Sequence, residues 1–259
     1  MWVHESENAK GVFVVVHGAN EHHARYKWLV NKLVKDGFHV VIGDLPGQGE
    51  NPEFKGHIDS FQEYIDAITE WYERAVQFQL PIFLFGHSMG GLAVIQTMLK
   101  KNLPVNALIL SSPCLGLVNP PSKLKHFSAL ILNKVSPKLR LPTNLQPGAG
   151  TRCEEMRKWD ENDPYSVKKV SVRWYFELET AMKASHEKVN FFPDVPLLLL
   201  QAGDDLIVDK EAVIPWFNNL NITEKYYKEW PDLYHEVFNE PEKEKVYKVA
   251  RMFTELHLH

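Results

Sequence analysis

The stretch Phe83–Val94, FLFGHSMGGLAV, decides how the rest of the chain is read. An apolar run, Ile82–Phe85, breaks at Gly86-His87-Ser88-Met89-Gly90-Gly91 and resumes as a helix-like stretch over Leu92–Lys100. The bland account is a glycine-rich turn between strand and helix. The chemical account is a nucleophile held up on a tight bend. Strand, G-x-S-x-G and helix in that order are the context a nucleophile elbow needs. Side chains would collide in so sharp a turn, which explains glycine at 86 and 90. Ser88 would then stand at a helix N-terminus, where backbone N–H groups and the helix dipole favour developing negative charge.

A serine hydroxyl is a weak nucleophile without a base beside it. In chains with this elbow the partners follow in the order Ser, Asp or Glu, His. The apolar run Leu197–Leu200 leads into Gln201-Ala202-Gly203-Asp204-Asp205, with Asp209 just beyond. Carboxylates past a strand's C-terminal end lie where doubly wound sheets place their sites. A solvated turn is the competing reading of these acids. Further on, His235 lies in Leu233-Tyr234-His235-Glu236, after a strand candidate at Tyr226–Trp230 and before the last helix. The chain has 12 histidines, so position rather than presence singles out His235. The first strong apolar run, Gly11–Val16, ends in His17-Gly18-Ala19-Asn20-Glu21-His22. A His-Gly pair there lets a backbone N–H approach a reacting carbonyl oxygen, and the Met89 amide would be a second donor.

The five runs Gly11–Val16, Val40–Gly43, Ile82–Phe85, Ala107–Leu110 and Leu197–Leu200 are unbroken by polar residues. Such runs fit strands of a parallel sheet covered on both faces. Helical patterns lie between them. Ser60 and Glu63 form a capping-box spacing ahead of Phe61, Tyr64, Ile65, Ile68, Trp71, Tyr72, Ala75 and Val76. A second helix spans Trp28–Lys35 and ends before Gly37; a third opens at Asn239 and Pro241. Strands alternating with helices predict a doubly wound, mostly parallel α/β sheet. The rhythm fails over 112–193, which carries prolines at 113, 120, 121, 137, 142, 147 and 164 and helical pieces at Leu124–Val135 and Val172–Ala184. A structureless loop of that length is uncommon in a compact domain. An inserted helical cap at 112–193 is expected, with the core built from 1–111 and 194–259.

Composition narrows the function. The chain has 259 residues, is 44% hydrophobic and carries a formal charge of −4. Nothing resembles the basic stripe of a nucleic-acid binder. Two cysteines, Cys114 and Cys153, give no disulfide framework and suit a reducing compartment. The polar start, MWVHESENAKG, lacks a secretory h-region, and the apolar runs are too short to span a bilayer. These features predict a soluble protein.

Five blocks in order resemble the monoacylglycerol lipase and lysophospholipase family of the α/β-hydrolase fold. They are HGANEHHARY (His17–Tyr26), DLPGQGEN (Asp44–Asn51) with GHIDSFQEYIDAI after it, GHSMGG (Gly86–Gly91), LLLQAGDDLIVD, and LYHEVFNE (Leu233–Glu240). The resemblance covers nearly the whole chain outside the cap. It implies Ser88 as nucleophile, His235 as base and Asp205 as acid, the last because the family's acid stands four residues before a second Asp, here Asp209. It implies oxyanion donors at the amides of Ala19 and Met89, and Gly86 and Gly90 as the elbow. It also implies hydrolysis of esters of single-chain lipids, with an apolar acyl pocket under the cap and no metal or organic cofactor.

Gln48 departs from the family, where many relatives have His, and Glu50-Asn51 stand where Ser is common. That loop takes no part in the inferred chemistry, so the change is discounted for activity. Only about ten residues precede Gly11, which predicts a shortened or missing leading hairpin and fewer than eight strands.

The same triad would serve a general esterase, a thioesterase or a peptidase, and a binding protein on a hydrolase scaffold is a rival of another class. His22-His23 near His17 lacks a metal-ligand spacing. Trp159, Tyr165, Trp174, Tyr175 and Phe176 fit an acyl pocket and ordinary packing equally. Lys123–Phe127 with Ala129–Leu132 could dock at a lipid surface, but a helix buried on the core is the favoured reading. The expected partner is a small lipid ester, without nucleic acid or an obligate protein partner. The expected location is the cytoplasm, with transient membrane-surface contact through the cap.

Overall fold

The computed structural model describes residues 1–50, 54–143, 146 and 148–259. Asn51 and Pro147, singled out in the sequence, lie outside the described residues. The chain runs β1 (Trp2–His4), β2 (Gly11–Val16), α1 (Lys27–Lys35), β3 (Phe38–Ile42), α2 (Gln62–Val76), β4 (Ile82–His87), α3 (Met89–Lys101) and β5 (Ala107–Ser111). Then come α4 (Lys123–Val135), β6 (Arg140–Pro142), α5 (Glu154–Asn162), β7 (Lys169–Ser171) and α6 (Val172–Glu187). The chain closes with β8 (Leu197–Ala202), α7 (Lys210–Asn219), β9 (Lys225–Trp230) and α8 (Lys243–Leu256).

Seven strands form one sheet in the order β1-β3-β2-β4-β5-β8-β9. All pairings are parallel except β1 with β3. The sheet therefore has fewer than eight strands, and its leading edge is the three-residue antiparallel β1. Alternate residues of each strand serve opposite faces. Val12, Val14, Val16, Leu84, Leu108, Leu197 and Leu199 pack with helices α2, α3, α6 and α7. Phe13, Val15, Phe83, Phe85, Ile109, Leu198 and Leu200 pack with α1 and α8. Both faces are dry, so the strands read as unbroken apolar runs rather than alternating ones. At α2 the capping box is half made: Glu63 Oε1 accepts from the Ser60 N–H at 3.0 Å, while Ser60 Oγ accepts from the Gln62 N–H at 3.2 Å.

Among the described residues, the 112–193 stretch adds no strand to the main sheet. It does hold a two-stranded hairpin, β6–β7, that the sequence reading did not expect, because three-residue strands carry almost no periodicity. Helix α6 packs on α3, and α4 packs on α6. Gln96 Nε2 of α3 donates to Ala181 O at 3.0 Å and Ser185 Oγ at 2.8 Å. Trp174 Nε1 donates to Tyr64 Oη at 2.8 Å. These polar ties sit inside the apolar contact of α6 with the sheet. Because α6 already covers that face, α4 lies outermost and has no buried residue. The expected core-buried helix is therefore not what forms at α4.

Candidate active site

Chain order places the site. β2 leads out to β3, and the chain then returns across β2 to β4, so the loops after β2 and β4 diverge between neighbouring parallel strands. That divergence opens the crevice in which doubly wound sheets bind ligands. The His17–His22 loop follows β2, Ser88 follows β4, Asp205 follows β8 and His235 follows β9. All four come from carboxyl ends of parallel strands.

Ser88 has φ 53° and ψ −121°, a region that costs a non-glycine residue on the order of 1–3 kcal/mol. Surrounding bonds hold it there: its N–H donates to Ser111 O at 3.0 Å, and its carbonyl accepts from Leu92 N–H at 3.1 Å and Cys114 N–H at 3.0 Å. The elbow leaves no space for side chains at its flanks. A Cβ at Gly86 would lie 2.8 Å from Gly90 O, and one at Gly90 would lie 2.4 Å from both Val16 O and His17 O. The start of α3 is thereby pressed against the end of β2.

The loop after β2 is pinned amide by amide. Gly18 N–H donates to Glu21 Oε1, and Asn20 N–H donates to Gln48 Oε1 at 2.9 Å. His17 Nε2 accepts from Leu45 N–H at 2.9 Å, which leaves the ring proton on Nδ1, donated to Gly18 O at 2.7 Å. Burial holds the ring neutral, with its pKa down at about 4. With Gly18 O fixed toward His17, the trans peptide aims the Ala19 N–H the opposite way. Among the described residues, neither Ala19 N–H nor Met89 N–H donates to an acceptor. A Cβ on Gly18 would stand 3.1 Å from Ser88 Cβ, so this loop runs against the serine.

The acid and the histidine are in contact. His235 Nδ1 donates to Asp205 Oδ2 at 2.8 Å, and both side chains are nearly sealed from water. Asp205 Oδ1 accepts from Ile207 N–H at 2.9 Å and Val208 N–H at 2.8 Å. Burial pushes this carboxyl up, but the His235 charge and these bonds outweigh it and hold its pKa below the usual value. Burial likewise pushes His235 down, while Asp205 raises it further, and the net direction is up. Asp204 is exposed, and Asp209 caps α7 by accepting from Glu211 N–H at 3.0 Å. Of the three acids the sequence offered, Asp205 alone meets the histidine. Ser88 Oγ makes no hydrogen bond to His235 among the described residues. The His87 ring, 4.7 Å from that of His235, is driven down to about 3 by burial and by the neighbouring imidazole.

A histidine backed by a buried carboxylate, a strained serine at a helix start and two amides without an acceptor among the described residues are the kinds of parts an acyl-transfer site uses. The profile of the family described as serine aminopeptidase, S33, matches residues 7–242. This chain belongs to that family of α/β-hydrolases. Over its full length and that of the relative, it is 46% identical to phospholipase YtpA of Bacillus subtilis. It is 27% identical to the monoglyceride lipase of Homo sapiens, over 89% of this chain and 77% of that one. The crystal structure of a Paleococcus ferrophilus monoacylglycerol lipase superposes with TM-score 0.89 at 28% identity, covering 99% and 100% of the two chains.

Several side chains escaped the sequence reading. Gln48, discounted there, is fully buried and holds Asn20 beside the candidate oxyanion amide. Arg25, within the HGANEHHARY block, is buried and donates to both Glu236 oxygens, at 2.8 and 3.0 Å, and to Asp160 of α5. Its signal was a charge three residues beyond the His17–His22 motif, which composition does not separate from a solvated arginine. Cys114, 3.8 Å from Met182 Sδ, packs behind the elbow, and burial raises its thiol to about 12.

Three of the aromatic residues singled out in 112–193 are engaged in packing. Trp159 stacks on His22 beneath Arg25, Trp174 is buried, and Phe176 meets His126 edge-on. Contrary to the spacing argument, His22, His23 and Asp44 do bring donor atoms within 4.8 Å of one another. They are spent on internal bonds: His22 Nε2 with Asp163 at 3.0 Å and His23 Nδ1 with Asp44 Oδ1 at 3.0 Å. That pairing makes them a brace between loops rather than an open cation site.

Proposed function

We propose that Ser88, His235 and Asp205 are the catalytic triad of this chain, and that the amides of Ala19 and Met89 form its oxyanion hole. The protein is a serine-type carboxylic ester hydrolase that acts on lipid esters. The observation that carries the residue assignment is the 2.8 Å bond from His235 Nδ1 to the buried Asp205 carboxylate. That bond puts the ring proton on Nδ1 and leaves Nε2 as a base. His235 Nε2 takes the Ser88 proton as Oγ attacks the ester carbonyl. The tetrahedral oxyanion is met by two N–H groups that have no other partner among the described residues, worth about 10²–10³ each in rate. His235 then protonates the leaving alcohol, and water repeats the sequence to release the fatty acid.

Monoacylglycerols or lysophospholipids are the proposed substrates; one relative carries the name phospholipase and another monoglyceride lipase. Residues 112–193 are the proposed cap, and transient contact of that cap with a membrane surface is part of the same reading. The proposed location is cytoplasmic and peripheral. No described helix is long and apolar enough to cross a membrane.

The test is hydrolysis by wild-type and Ser88→Ala protein of monoacylglycerol, lysophosphatidylcholine, p-nitrophenyl esters from acetate to palmitate, and an amino-acid anilide. Long-chain turnover and fluorophosphonate labelling, both abolished in Ser88→Ala, are expected. Turnover of the anilide alone would transfer the site to peptidase chemistry. Turnover unchanged in Ser88→Ala would overturn the triad.

A further inference from the structure

The outer face of α4 combines two properties. Leu124, Phe127, Ile131 and Val135 are 77%, 62%, 52% and 73% exposed. At i, i+3, i+7 and i+11, with about 100° per residue, they fall on one narrow stripe. The opposite side of the helix is its attachment to α6, where His126 Nε2 meets Glu179 at 2.9 Å and Asn133 O accepts from Arg173. Leu139 and Leu141, also exposed, extend the apolar surface into β6.

The same face is basic. Lys125 flanks the stripe on one side, Lys123 and Lys134 flank it on the other, and Lys138 and Arg140 follow; all five are exposed. From residue 74 to residue 153 the sequence contains no Asp or Glu and nine Lys or Arg. That stretch carries a formal +9 and the rest of the chain −13. A protein that is acidic overall thus gathers an acid-free, positively charged and apolar face on its outermost helix. Exposed leucine and phenylalanine rimmed by lysine suit an interface whose interior is hydrocarbon and whose surface is anionic.

We propose that α4 and β6 form a docking face for bilayers bearing anionic headgroups, and that negative surface charge selects the membrane on which this enzyme works. The proposal rests on the lipid-ester reading above and specifies the surface from which substrate is drawn. Apolar residues of the stripe enter the acyl boundary, while the lysines stay at headgroup level. Each lysine near an anionic surface adds an attraction that salt screens within a Debye length.

The experiment is flotation of the intact chain with vesicles of phosphatidylcholine alone or with phosphatidylglycerol added, at low and high salt. Ser88→Ala protein is run in parallel so that binding is read without turnover. At least a tenfold preference for the anionic vesicles at low salt is expected, in wild type and in Ser88→Ala alike, falling with salt. Lys123→Glu/Lys125→Glu/Lys134→Glu should remove the preference, and Phe127→Asp should weaken binding to both vesicles. Hydrolysis of soluble p-nitrophenyl acetate should stay unchanged in these variants, which reports that they fold. Equal binding to both vesicles, or a preference that survives the triple substitution, overturns the proposal. So does self-association lost in Phe127→Asp without vesicle binding, which would assign the face to a second copy. Loss of lipid hydrolysis with anionic binding intact would instead count against the substrate reading alone.

Discussion

At the scale of the residue, the site depends on where two protons sit. Leu45 N–H forces the His17 proton onto Nδ1, and the Asp205 carboxylate does the same at His235. The two rings look alike in sequence and behave in opposite ways. Burial outweighs the nearby Asp44 charge and drives His17 down, whereas Asp205, bonded directly to the ring, lifts His235 above its ordinary value despite burial. A base must be neutral, so kcat/KM should fall as pH drops through the raised His235 pKa, with a midpoint above 6.5. Asp205→Asn removes the charge that raises it. The acid limb should then move to lower pH while the maximal rate falls roughly 10³–10⁴-fold. A pH–rate profile of both proteins on a soluble ester checks this, and an unmoved limb would detach Asp205 from His235.

At the scale of the element, the strand–elbow–helix unit is set by contacts that glycine alone permits. Gly90→Ala would drive a methyl group to 2.4 Å from two backbone carbonyls at the end of β2. Neither carbonyl can move without displacing the loop that bears Ala19. The substitution should cost about 3 kcal/mol in urea unfolding and lower kcat about 10²-fold or more by shifting the Met89 amide. Gly91→Ala is the control, since its Cβ would first meet Pro113 Cβ at 3.0 Å. It should cost about 1 kcal/mol and leave the rate within a few-fold. Equal losses in the two variants would show that general crowding, rather than the β2 contact, matters.

At the scale of the whole molecule, Arg25 joins three parts of the chain. It pairs with Glu236 beside the candidate base, with Asp160 on α5, and stands 3.5 Å from Glu21, which holds Gly18. The loop after β9 is also zipped to the 148–153 segment: Glu236 N–H donates to Gly150 O at 2.8 Å, and Arg152 donates to the fully buried Glu240 at 2.7 Å. Removing the arginine strands several carboxylates at once. Arg25→Met should destabilise the fold by about 3–5 kcal/mol. Asp160→Asn, whose side chain is 45% exposed, should cost at most about 1 kcal/mol. Urea titration of both variants distinguishes a hub from two independent pairs.

What the sequence by itself determined is local and patterned. Gly86-His87-Ser88-Met89-Gly90 announced the elbow because strain at one residue demands small neighbours at fixed positions. The doubly buried strands were legible because each holds an unbroken apolar run, and the five expected runs fell within two residues of the observed bounds. His235 was found by its place after the last strand. Only the tertiary structure decided the remainder. The family resemblance had pointed to Asp205 over Asp204 and Asp209, but the contact itself is made by the turn after β8, which aims that carboxylate across to the loop after β9. Gln48 and Arg25 gained their roles from partners 28 and 211 residues away. The exposure of α4 followed from α6 having already taken the core face it would otherwise cover. Periodicity records that a helix has an apolar stripe; which element reaches the shared surface first is a property of the packed whole.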